Sequence, residues 1–272
     1  MVRTDQAYIN QYLVYDEVFE ACEACEKACV EADYFLRKEA RKSYLDTYFS
    51  EALNVGAKKN DKTEDNIFAK IGKAIVALIE KIKKGIKHIT DAILGSERRN
   101  AKTNSAVQKI IAENPELKKD IIKGVRNEWF TSYDVAGYKN DIIGLINMID
   151  QAKIDNATAM DKFKMSTEKF RKGTVKVIAG AGAATALFKF VTELNNQRKA
   201  LRDMATDAKS VEKLEEKKEE AEKKGKDAGV ISNVLRIITS TIQVLFGIDK
   251  QLEDNTKNIE NHVESATGVN KS

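Results

Sequence analysis

One proline, Pro115, stands in a chain of 272 residues, where ordinary usage of about 5% would place roughly fourteen. Proline removes a backbone donor and breaks helix interiors, so its absence elsewhere lets helices run long. Apolar repeats use that freedom. Tyr138, Ile142, Leu145, Ile149, Ala152, Asn156, Ala159, Phe163 and Phe170 recur at a spacing of about 3.5 residues, up to Gly173. A second series, from a helix starting at Thr174, takes Leu187, Phe190, Leu194, Gln197, Leu201, Met204, Ala208 and Val211. A third follows Gly229 with Ile231, Val234, Ile238, Thr241, Leu245, Ile248, Leu252, Asn255 and Ile259. Repeats of this period between glycine-bearing turns predict an all-α chain, with residues 133–272 as an elongated antiparallel bundle or coiled coil of three long helices.

Residues 1–132 form a separate N-terminal helical module on the same reasoning. A first helix is expected over Asp5–Phe49, with Tyr8, Tyr12, Tyr15 and Phe19 on one stripe, then a polar linker Asn54–Lys62. Thr63 is placed to cap a second helix, with Glu64 and Asp65 in the first turn where the helix dipole favours acid. That helix, over 64–94, carries Ile67, Ile71, Ile75, Leu78, Ile82, Ile86, Ile89 and Ile93 and should stop at Gly95. A short helix is expected at Thr103–Ala112, and another opened by Asn114-Pro115-Glu116 and running to Phe130.

Charge is unevenly spread. The chain holds 46 basic and 42 acidic residues, but Met1–Phe35 is acidic and Phe68–His88 is lysine-rich, a pairing that favours an internal or intermolecular match. No apolar stretch follows Met1, so no secretory signal is expected, and synthesis and first folding are read as cytoplasmic. The longest apolar run, Val177–Phe188, is too short for a bilayer, which needs about 20 residues.

Motifs that would carry chemistry give way to packing. Cys22, Cys25 and Cys29 have spacings that suit a soft metal, but no fourth ligand lies near. On a helix, i, i+3, i+7 is one buried stripe, so they are read as reduced core residues. Val175–Thr185 resembles a strand entering a dinucleotide fingerprint, but the sequence beyond is Glu/Lys-rich helix with no second strand. Ala179, Gly180, Gly182, Ala183 and Ala186 instead allow close helix–helix approach. His88 and His262 belong to no triad or metal spacing, and phosphate-loop, zincin and nucleophile-elbow motifs are absent. Asn156 and Asn255, on apolar seams, either fix register or sit at exposed stretches. The run Glu212–Lys226 reads as a solvated helix face, too acidic and too poor in aromatics to bind nucleic acid specifically. No enzyme, cofactor or metal site is expected.

The candidate interaction face is the second helix. Ile67, Ile71, Ile75, Leu78, Ile82 and Ile86 form an apolar stripe flanked by Lys83, Lys84 and Lys87. It either packs against the acidic first helix or adsorbs to an anionic membrane surface. The acidic, aromatic-rich first helix, then Ile67-Phe-Ala-Lys-Ile-Gly-Lys-Ala-Ile-Val-Ala-Leu-Ile-Glu-Lys-Ile-Lys-Lys-Gly-Ile, then long charged helices, resembles head-interior and structural proteins of large tailed phages over residues 10–130. That resemblance implies a non-enzymatic virion component that associates with itself or with other virion proteins. The second half is similar in outline to α-helical pore-forming toxins. That implies an alternative, membrane action through 67–94 and insertion of 175–191.

Overall fold

The computed structural model describes residues 13–32, 34, 38, 41, 61–177, 183–206, 216, 219 and 228–268, with the side chains of 61–68, 118, 183–185 and 228–231 outside the description. Within these residues the chain is all-α apart from one two-stranded antiparallel sheet. The elements are α1 (13–32), α2 (Asp61–Glu113), α3 (Leu117–Ile122), a 3-10 turn Asn127–Phe130 and β1 (Thr131–Ser132). Then come α4 (Val135–Asp150), α5 (Asn156–Lys172), β2 (Thr174–Val175), α6 (Ala183–Thr206) and α7 (Ala228–Thr267).

Two compact units are drawn from segments far apart in sequence. The first takes Met1–Lys84, Ile142–Phe163 and Thr206–Gln243; the second takes Gly85–Asp141, Lys164–Ala205 and Val244–Ser272. In the first unit, Tyr15, Val18, Cys22, Cys25, Cys29 and Ala32 form the buried stripe of α1. Ile71, Ile75, Leu78 and Ile82 of α2 and Val234, Leu235, Ile238 and Ile242 of α7 are buried in the same unit. Ser232 donates to the Cys29 carbonyl and Thr239 and Ser240 donate to Glu26, tying α7 to α1.

In the second unit, Ile89, Ile93 and Val107 of α2, Leu187, Phe190, Leu194 and Leu201 of α6, and Leu245, Leu252 and Ile259 of α7 are buried. Phe130 meets Phe190 edge-on with ring centres 4.8 Å apart. Tyr138 stacks on Phe170 at 4.2 Å, and its hydroxyl shares a hydrogen bond with Thr167.

Four expected boundaries are corrected. Helix α2 starts at Asp61, ahead of Thr63, and passes through Gly95 to Glu113, absorbing the short helix expected at Thr103–Ala112. A mid-helix glycine costs about 1 kcal/mol relative to alanine. Ile93, Ser96, Thr103 and Val107 are buried on either side of it, and their packing outweighs that cost. The helix expected from Pro115 to Phe130 ends at Ile122, because Gly124 turns the chain at φ +95° against the ring of His262.

The helix expected from Tyr138 to Phe170 is two helices. Lys153 N–H reaches the Met148 carbonyl (2.9 Å) and Ala152 N–H the Ile149 carbonyl (3.0 Å), a left-handed C-terminal closure with an alanine where glycine is usual. Ala152 takes φ +52°. Asp155 then opens α5 by accepting from the backbone N–H and hydroxyl of Thr158, bonds that hold its carboxyl below the usual range. Ala152 and Asn156 are exposed, while the other residues of that repeat are buried. Because a left-handed non-glycine residue costs about 1–2 kcal/mol, Ala152→Gly is expected to stabilise the chain by about 0.5–1 kcal/mol in a urea titration. An unchanged or lower midpoint would mean that the turn is not held in this conformation.

The fourth correction lies after Gly173. Thr174–Val175 is a strand paired with β1, Thr131 opposite Val175 and Ser132 opposite Thr174, and α6 is described from Ala183. Gly173 has φ +55°, and a β-carbon there would meet the Thr131 methyl at 2.5 Å. Only glycine lets α5 stop and the strand close on β1 in so little space.

Candidate functional site

The isoleucine face and the lysines beside it divide cleanly. Ile71, Ile75, Leu78 and Ile82 are buried, Ile86 is half-buried, and Lys83, Lys84 and Lys87 are exposed; the Ile67 side chain lies outside the described residues. In the first unit, Lys84 donates to Glu17 at 2.7 Å and Lys81 at 3.0 Å, so one carboxylate of α1 takes two cations of α2. Those two lysines, Lys84 foremost, hold the Glu17 carboxyl below its usual range. Being partly exposed, such pairs contribute little stability and mainly set which faces meet.

Cys22, Cys25 and Cys29 are free thiols within the α1 stripe, each 0% exposed. Burial, then Glu26 and Glu23, pushes the Cys22 thiol up. Cys25 is raised by its hydrogen bond with Cys29 and by burial. Cys22 and Cys25, held protonated in this way, are poor nucleophiles, whereas the hydrogen bond from Cys25 draws the Cys29 thiol down. Among the described residues, no three His, Cys, Asp or Glu side chains group as a metal would need.

Of the segment 175–191, Ile178–Gly182 lies outside the described residues, so the close-approach reading of Ala179, Gly180 and Gly182 is not addressed. The described remainder holds Lys176, whose N–H donates to the Phe130 carbonyl and whose ammonium meets Glu193 at 2.6 Å. Leu187, Phe188, Phe190 and Val191 are buried. The run Glu212–Lys226, Ala208 and Val211 likewise lie outside the described residues, apart from Glu216 and Glu219, which are helical and exposed.

Among the described residues, the most buried charged cluster is one that the sequence reading does not anticipate. In the second unit, Arg198 of α6 donates from Nε to Asp249 Oδ1 (2.9 Å) and from Nη2 to Asp249 Oδ2 (3.1 Å) and Glu253 Oε2 (3.0 Å). These side chains are 1%, 0% and 5% exposed, and Lys257 meets the other Glu253 oxygen at 3.2 Å. His88 of α2 faces this cluster, and burial holds its imidazole below the usual pKa. About two turns further along α2 and α7, Ser96 donates to Glu260 and accepts from Asn195, and Arg99 binds the other Glu260 oxygen.

Arg198 therefore lies level with Asp249 and Glu253, while Asn195 reaches Glu260 through Ser96, so α6 and α7 run antiparallel here. A guanidinium fork bonded through Nε and Nη2 to two carboxylates of one helix favours a single sliding position of the two helices. The cluster is sealed from solvent, and a buried charged fork of this kind is suited to fixing the register of one helix against another. The signal was present in the sequence: Arg198 follows the seam residue Gln197, and Asp249, Glu253 and Lys257 recur at intervals of four beside Ile248 and Leu252. Charges flanking a seam are where interhelical pairs form.

No family model, curated protein or solved structure matches the chain. Of the remaining expected features, His262 and Asn255 are packed. His262 shares a hydrogen bond with the Ile121 carbonyl at 2.8 Å and lies 5.9 Å from the Trp129 ring. Asn255 is 8% exposed within α7, whereas Asn156 is exposed. Among the described residues, no helix is long and apolar enough to cross a membrane.

Proposed function

We propose that the chain is a non-catalytic helical structural and interaction protein, a head-interior component of a tailed-phage particle that associates with itself or with other virion proteins through helix faces. What supports the non-catalytic part is the Arg198–Asp249–Glu253 cluster, where charged groups buried between α6 and α7 hold the helices in register instead of lining an open cleft. The phage assignment rests on the pattern of residues 10–130. The seam residues of α6 and α7 are read, in the same proposal, as part of an antiparallel coiled coil.

Light scattering over a wide range of protein concentration tests it, alongside flotation with anionic, dye-loaded liposomes. Concentration-dependent oligomers without liposome binding support the reading. A monomer throughout overturns self-association. Flotation with dye release overturns the structural role in favour of membrane action, which requires Ile71, Ile75, Leu78 and Ile82 to leave the interior.

A further inference from the structure

Helix α1 has a second face with its own order. Opposite the stripe of Tyr15, Val18, Cys22, Cys25 and Cys29, the residues at a spacing of about 3.5 are exposed without exception among the described positions. Leu13, Asp16, Glu20 and Glu23 come first, then Lys27 and Val30, then Tyr34, Lys38 and Arg41, the last three being helical as well. Val30 is 54% and Tyr34 71% exposed, unusual for a valine and a tyrosine four residues apart on one helix face. Among the described positions the face is acidic towards its N-terminal end, cationic towards its C-terminal end and apolar at Val30 and Tyr34.

This polarity is self-complementary in one orientation. A second copy laid parallel would set acid against acid and base against base. Laid antiparallel about a two-fold axis near residue 29, Asp16 falls opposite Arg41 and Glu20 opposite Lys38, each pair occurring twice by symmetry. Tyr34 then lies over the exposed Ala24 of the other copy, and Val30 beside the aliphatic stem of its Lys27. The Cys stripe plays no part, because it faces the interior of the first unit.

We infer that the outward face of α1 is a homodimer interface in which two copies of the chain pair antiparallel through Asp16, Glu20, Lys38 and Arg41 around Val30 and Tyr34. The inference rests on the self-association reading above and names its surface. With two apolar anchors and solvent-exposed charges, the dimer is reversible and weakens as salt rises.

Charge reversal tests it. Asp16→Lys with Glu20→Lys reverses the acidic partner of both pairs, and Lys38→Glu with Arg41→Glu reverses the basic one. Each pair of changes should weaken the dimer at least about tenfold in sedimentation velocity at low salt. The two variants mixed should associate with each other, and all four changes in one chain should restore the homodimer. Because the altered residues are exposed, circular dichroism should be unchanged. Independently of those variants, Val30→Cys should be cross-linked to its own copy by a short bis-maleimide, and salt should suppress the product. Oligomers indifferent to both reversals and to salt would overturn this interface while leaving self-association standing. A wild-type chain that stays monomeric and gives no cross-link would overturn both.

Discussion

Arg198→Met should lower the stability of the second unit by about 3–5 kcal/mol, because it leaves two buried carboxylates facing each other without their cation. Asp249, 0% exposed, loses the two hydrogen bonds it accepts from Arg198, whereas Glu253 keeps Lys257. Domains have about 5–15 kcal/mol in total, so the variant should unfold at far lower denaturant. Trp129, the single tryptophan, lies in this unit and reports the transition by fluorescence. Changing all three residues together, Arg198→Met with Asp249→Leu and Glu253→Met, should recover most or all of the loss, since an apolar core of similar volume carries no desolvation cost. A loss under about 1 kcal/mol for the single change would show that the cluster is hydrated and sets no register.

Ile75→Glu with Ile82→Glu should unfold the first unit. Both side chains are 0% exposed. Each change forfeits about 1.5–3 kcal/mol of apolar burial and buries a carboxylate with no partner at a further cost of several kcal/mol. The readout is local: Cys22, Cys25 and Cys29, protected in the native chain, should react with a thiol reagent at the rate of an unfolded peptide. Ile75→Leu with Ile82→Leu should keep them protected, at a cost under about 1.5 kcal/mol per site. Protected thiols and an unchanged melt in the glutamate variant would mean that the stripe faces solvent, and would make membrane adsorption the reading to pursue.

The isoleucine stripe of α2 and the repeats of α4 to α7 were legible because a helical period is a local property. Whichever partner covers them, residues three and four apart share a face, and that face must leave water. The cysteine stripe was legible for the same reason. What a period cannot supply is where a helix stops. Gly95 carries a stop signal and the helix passes through it, whereas Ala152 carries none and closes a helix at φ +52°. The difference lies in what is buried on either side, against the help that Asp155 gives the next helix.

The all-α class and most of the inward residues of each helix followed from the amino-acid order alone, since proline scarcity and periodicity act within a few turns of the chain. Tertiary structure alone decided the two-residue sheet that Gly173 permits, the pairing of Glu17 with Lys81 and Lys84, and the ionic lock of α6 and α7. Arg198 is separated from Asp249 by 51 positions. Burying that charge is costly in isolation and becomes favourable only when two carboxylates from another helix enter the same water-free space, a condition set by the assembled fold and by no segment of it alone.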